Sequence, residues 1–333
     1  MSNLKDLTNL FSREKQMRKK PLKKKRRTGK SPQNQSNPVP DRRSMDKMMV
    51  DIGRLLESQE FDSIDEINAY LQQVMASGEP IPATAPRTPL EEAQDLMYEA
   101  FEASSSTQRI KLAKKALTIS EDCADAYVLL AEESAKSLAK ARDLYAAGVE
   151  AGERALGKER FEEAVGHFWG ITETRPYMRA RVGLASCLWQ LGQRQAAIEH
   201  YKEMLRLNPD DNQGIRYLLL PAYLAEGLDA AAERLLGEYE DDASATWLYN
   251  RVLLLYRQEK SGKKARAQLH EALQYNPYVP AYLLGRKRLP KQLPPYVGFG
   301  DENEAIYYVT EAGHLWLEQE GALDWLQRIS TES

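Results

Sequence analysis

Two nine-residue stretches, YKEMLRLNP ending at Pro209 and LHEALQYNP ending at Pro277, lie 68 residues apart. That distance is two periods of 34. At an offset of 34, Leu184 falls on Leu218 and Val252, Ala185 on Leu219 and Leu253, Ala197 on Ala231 and Ala265, and Tyr201 on Leu235 and Leu269. The spacing predicts three copies in one register without a gap. No other feature constrains the fold as tightly. A chain that repeats on this scale is built from small units, none of which can bury its own apolar face, so neighbours must stack.

A period of 34 is that of the tetratricopeptide repeat, two antiparallel helices joined by a short turn. Small residues at 185, 197, 231 and 265 let helix backbones approach, and Leu184, Leu188, Tyr201 and their counterparts fill the space around them. The proline ends the second helix, because it has no amide donor and its ring clashes with the preceding turn. Upstream, ADAYVLLAEESAKSLAKARDLYAAGVEAG reads as another copy, and PLEEAQDLMYEAFEASSSTQRIKLAKKALTIS as a degenerate first pair opened by Thr88, Pro89 and Glu91. Between Gly148 and Arg175 the register breaks, which predicts a lengthened helix and a loop.

The expectation is an all-α tetratricopeptide-repeat solenoid over residues 89–289, followed over 290–330 by a Pro/Gly-rich loop and capping helices that seal its open end. Ahead of it come a basic, disordered arm over 1–44, a short helical segment over 45–79 in which Ser63 and Glu66 form a capping box, and a Pro-rich linker over 80–88.

Net charge is −3, but residues 1–45 hold fourteen Lys/Arg against three Asp/Glu, a net of +11, so the remainder carries −14. Eleven of the eighteen residues from Arg13 to Lys30 are basic, with Lys19, Lys20, Lys23, Lys24, Lys25, Arg26 and Arg27 the densest part. Such an arm could bind nucleic acid through phosphates, or act as a nuclear-import signal in a host with a nucleus; the plain alternative is a solubilising tail. No apolar run is long enough to span a bilayer, and no secretory signal is visible, so the sequence reads as cytoplasmic. Cys123 and Cys187 have neither disulfide-framework nor metal spacing.

The pieces CADAYVLLAEE, RPYMRARVGLASCLWQLG, NPYVPAYLLGRKRLP and GDENEAIYYV resemble the suppressor-of-tumorigenicity-7 proteins and their bacterial relatives, over about residues 90–328. The run from Asn276 to Trp325 is the specific part. Animal members carry N-terminal membrane-spanning segments where this chain has a basic arm. The resemblance implies a helical fold and no established reaction.

Motifs that carry chemistry are weak. GERALGKE (Gly152 to Glu159) nearly spells a phosphate-binding loop, but Glu159 stands where a hydroxyl is needed and no strand precedes it. Glu163 and His167, four apart, would share a helix face as an acid–base or metal pair, or simply pack there. No catalytic, cofactor or metal residue is assigned. In this repeat class the first helix of each pair lines a concave groove, and mapping its groove positions yields fifteen residues without one Asp or Glu. Among them Arg179, Trp189, Arg216, Tyr223, Trp247, Asn250 and Arg257 suit an extended peptide bearing an acidic group, since arginine grips a carboxylate with two parallel hydrogen bonds and aromatics add contact area. The alternative is that the tryptophans pack inside and the arginines pair with acids of neighbouring helices. The function expected is a noncatalytic protein-interaction scaffold, the second reading a nucleic-acid-associated factor.

Overall fold

In the computed structural model, residues 42–77, 86 and 88–332 are described, so the expected basic arm up to residue 41 and most of the expected Pro-rich linker lie outside them. The described residues form helices α1 (Arg42–Glu57), α2 (Ile64–Ser77), α3 (Pro89–Glu102), α4 (Ser106–Ile119), α5 (Ala124–Ser134), α6 (Leu138–Glu163), α7 (Arg175–Gln190), α8 (Arg194–Leu207), α9 (Arg216–Ala225), α10 (Asp229–Glu238), α11 (Ala245–Glu259), α12 (Lys263–Tyr275), α13 (Val279–Leu283), α14 (Glu302–Glu318) and α15 (Ala322–Glu332). No strand occurs among them. The fold is all-α, with five consecutive helix pairs from α3/α4 to α11/α12.

Local sequence explains most of the boundaries. Thr88 Oγ1 accepts from the Glu91 amide at 3.1 Å, with Pro89 as the first helical residue of α3. Ser105, Ser137 and Ser244 cap α4, α6 and α11 in the same way. Each cap satisfies an amide that has no partner inside its helix. At α2 the Glu66 amide donates to Ser63, while the Glu66 carboxylate reaches back to the Asp62 amide.

The register departs from the expected gapless 34. The turns inside successive pairs are left-handed at Gly192 (φ 80°), Gly227 (φ 67°) and Lys260 (φ 57°), steps of 35 and then 33. The fully buried alanines follow suit: Ala197, Ala232 and Ala265, with Ala231 only half-buried. The middle copy has gained one residue and the third has returned it. Pro221 sits inside α9 in that stretch, where it cannot give the amide hydrogen bond of a regular helix.

The chain divides into two compact units, one within Asn37–Arg216 and one within Tyr217–Ser333. The first holds α1 to α8. Its core is built from Met97, Tyr98, Phe101, Leu129, Met178, Tyr177, Ile198 and Met204, all buried. Helix α6 passes Gly157, whose φ of 65° and ψ of 171° break the helical path, and a loop with one short 3-10 turn (Thr172–Thr174) leads into α7. This is the lengthened helix and loop that the broken register predicts.

The second unit holds α9 to α15. Trp247, Tyr249, Tyr308, Trp316 and Trp325 are fully buried in it. Helix α14 packs on α11 and α13, with Ile306, Val309, Ala312, Leu315 and Trp316 facing inward.

Candidate functional site: the first-helix face

The first unit sets its first helices α3, α5 and α7 against a helix that belongs to no pair. Helix α1 starts at Arg42, inside the stretch expected to be arm, and its charged side chains reach each of the three in turn. Arg54 pairs with Asp95 of α3 at 3.1 Å and with Glu91 at 3.5 Å. Arg43 pairs with Glu132 of α5 at 3.0 Å and lies over the Phe101 ring. Asp46 takes Arg175 and Arg179 of α7, at 2.5 and 2.7 Å.

Arg179 is the centre of this arrangement. Its Nε and Nη2 hold the two oxygens of Asp125 at 2.8 and 2.7 Å, and its Nη1 holds Asp46. Asp125 is fully buried and takes a further hydrogen bond from Gln94 at 2.9 Å. Burial opposes the guanidinium charge, but Asp125 and then Asp46 outweigh it and push the pKa above the usual arginine value. The nearby Tyr98 hydroxyl is pushed up from its ordinary value by burial first and by Asp125 second. Two carboxylates and two guanidiniums thus neutralise each other in a nearly dry site, where a charge left alone would be costly.

The other expected groove residues divide by unit. In the first, Trp189 is half-buried with Arg194 stacked over its ring at 5.1 Å. Arg216, the last residue of that unit, donates to Asp211 at 3.0 Å, and Asp211 also takes the Ile215 and Arg216 amides at 2.6 and 2.9 Å. In the second unit, Trp247 is fully buried, with edge contacts to Tyr217 and Tyr239. Asn250 is fully buried and accepts from the Tyr308 hydroxyl at 3.2 Å, Tyr223 is buried, and Arg257 donates to the Leu224 carbonyl at 2.7 Å and to Asp229 at 3.1 Å. Every arginine of the set is paired to an acid, and Trp247 and Asn250 belong to the core.

The sequence reading missed the acids. Asp125, Asp46 and Asp211 carry the pairs above. Glu304 does comparable work in the second unit: one oxygen accepts the Ala245 amide at 2.9 Å, the other the Gly300 amide at 2.8 Å and Asn276 Nδ2 at 3.0 Å. A signal was present for one of these acids and for one further buried polar group. Asp125 stands inside an apolar helical run, ADAYVLLA, and the Asn of the repeated Asn-Pro phrase is buried in both copies. Asn208 accepts from the Trp169 amide at 3.1 Å; Asn276 also ties the Asp301 carbonyl at 2.9 Å.

The weak chemical motifs acquire structural roles. Gly152 of GERALGKE is where α6 meets α7: a Cβ there would fall 2.8 Å from Tyr177 Cβ and 3.1 Å from its Cα. Gly157 makes the helix break. Glu163 and His167 do not share a helix face, because α6 ends at Glu163 and His167 lies in the turn beyond it; both are exposed, and Glu163 faces Arg160 at 3.7 Å. Both cysteines are buried free thiols, Cys123 with its pKa pushed up to about 12 by burial and then by Asp125. Among the described residues no group of three or more His, Cys, Asp or Glu is placed to hold a metal, and no helix is long and apolar enough to cross a membrane.

The family model described as ST7 protein matches residues 84–333. Protein ST7 homolog of Drosophila melanogaster is 28% identical over 259 residues, covering 71% of this chain and 48% of the fly protein. Suppressor of tumorigenicity 7 protein-like is 30% identical over 257 residues in both Bos taurus and Homo sapiens, covering 70% of this chain and 46% and 44% of those proteins. The match thus spans about half the length of these relatives. Among solved structures, the crystal structure of YrrB, described as a TPR protein with an unusual peptide-binding site, aligns with a TM-score of 0.40 and 19% identity, over 56% of this chain and 84% of that one. With a family model spanning three quarters of its length, the chain belongs to the ST7 protein family.

Proposed function

We propose that this protein is a noncatalytic scaffold that holds a protein or peptide partner against the first helices of its helix pairs. The observation that carries the reading is the seat of α1: a helix outside the pairs lies on α3, α5 and α7 through charged side chains, so that face already has the chemistry of a recognition surface. An acidic group on the partner suits it, because Arg175 and Arg179 together receive a carboxylate. Within this reading Trp189, Arg216 and Arg257, each partly exposed, are the expected groove residues with atoms available for contact, while Arg179 is taken up by Asp125 and Asp46. Tyr223, Trp247 and Asn250 serve by holding their helices in place. The test is partner capture by the full chain and by Trp189→Ala and Arg257→Ala variants with unchanged helix content. Loss of capture supports the reading, and capture that survives both changes overturns the assignment of those residues.

A second reading is supported by the eleven basic residues between Arg13 and Lys30. It makes the chain a nucleic-acid-associated factor whose arm contacts phosphates while the helical body recruits others. Deleting residues 1–40 then removes nucleic-acid binding and leaves partner capture intact.

A further inference from the structure

We infer that α1 is a detachable in-chain ligand, and that the partner which replaces it is an amphipathic helix carrying an acid where α1 has Asp46 and a large apolar residue where α1 has Gly53. This rests on the scaffold reading above and specifies the partner's chemistry.

Three observations converge. First, the seat of α1 is largely ionic. Asp46 and Arg54 are buried and paired to the stack, whereas Leu55 is the one buried apolar side chain among the described side chains of α1, with Val50 half-buried against the core. Met48 and Met49 remain 47% and 49% exposed. The helix pairs beside it are held by apolar packing, so α1 is bonded differently from the stack it lies on. Second, the seat is underfilled. A cavity of about 200 Å³ lies between α1 and the stack, lined by Val50, Gly53, Leu90 and Tyr177 and, on its polar side, by Arg54 and Glu91 among others. A Cβ built on Gly53 meets nothing within 4 Å. Third, the charges are complementary in a fixed pattern. An acid at one position answers Arg175 and Arg179, and an arginine eight residues later answers Asp95 and Glu91.

These features describe a ligand that binds only because it is tethered. Attachment to the same chain supplies a local concentration on the order of millimolar, which lets a poorly filled, glycine-containing helix hold its seat. A partner helix with the same acid and arginine and a bulkier residue at the Gly53 position gains both helix propensity and apolar contact, and can compete.

The probe is a fluorescent peptide of residues 42–57, titrated into the full-length chain and into full-length Asp46→Arg, whose own α1 is repelled by Arg175 and Arg179. Arg54→Glu, which sets an acid against Asp95 and Glu91, serves as the second variant if the first does not fold; circular dichroism and melting identify the folded one. The expected result is at least about tenfold tighter binding to the variant than to the natural chain, reflecting removal of the tethered competitor. In the peptide, Gly53→Ala tightens binding about fivefold through helix propensity, and Gly53→Leu tightens it further by filling the cavity. A peptide carrying Asp46→Arg does not bind. Equal affinity for the variant and natural chains, absence of binding to both, or a Leu peptide no better than the Ala peptide would overturn the inference. Partner capture that depends on Trp189 and Arg257 would still stand after such a failure, so the two outcomes are distinguishable.

Discussion

Glu304 is buried to 6% exposure and meets two backbone amides and one side-chain amide. Removing it strands the amides of Ala245 at the start of α11 and Gly300 on the approach to α14, and takes one of the two partners of Asn276 Nδ2 at the end of α12. Loss of one partner from a buried, charge-assisted set costs about 3 kcal/mol, so Glu304→Ala lowers the melting temperature by several degrees, and Glu304→Gln, which keeps one acceptor oxygen, lowers it less. His200 makes a pH prediction. Burial and then the nearby Arg181 charge lower its pKa, and its Nδ1 is buried without a hydrogen-bond partner. A base whose folded pKa is depressed contributes stability that is present above the unfolded value of about 6.5 and is lost as pH falls through the folded value. Melting temperature therefore drops between pH 7 and pH 5 by more in the natural chain than in His200→Asn, and equal slopes would remove His200 from the explanation.

At the scale of the element, the glycines separate into those that permit contact and those that merely occupy a helix. Gly152 lets α6 touch the Tyr177 backbone, so Gly152→Ala must push two helices apart and costs about 1–3 kcal/mol. Gly237, inside α10 with nothing near a built Cβ, has no such role, and Gly237→Ala stabilises by about 0.5–1 kcal/mol. Denaturant midpoints of the two variants should move in opposite directions. Helix ends were readable for the same local reason: Thr88 and Ser63 act on amides a few residues away, and the prolines of the Asn-Pro phrases cannot continue a helix. The one-residue gain and loss around α9 was not, because Ala231 and Ala232 are chemically alike and only packing says which one a neighbouring helix meets.

For the whole molecule, charge is the property that reaches furthest. A basic front of +11 precedes a remainder of −14. If the arm contacts phosphates, affinity for duplex DNA falls linearly in log–log terms with salt, and deleting residues 1–40 abolishes it; a salt-insensitive affinity, or one kept by the deleted chain, would refute the arm's role. The acidic body is not uniform either. Some of its carboxylates are exposed, while Asp46, Asp125 and Glu304 are consumed in internal pairing.

The sequence by itself determined the all-α class, the helix pairs and most of their ends, because a 34-residue period and capping residues act over distances that the chain writes locally. Only the tertiary structure decided which arginines of the expected groove are already paired and with which acids. Asp46 and Arg179 are 133 residues apart in the chain and 2.7 Å apart in the fold. No periodic pattern encodes such a pair, since burial of charge depends on every surrounding helix being in place at once.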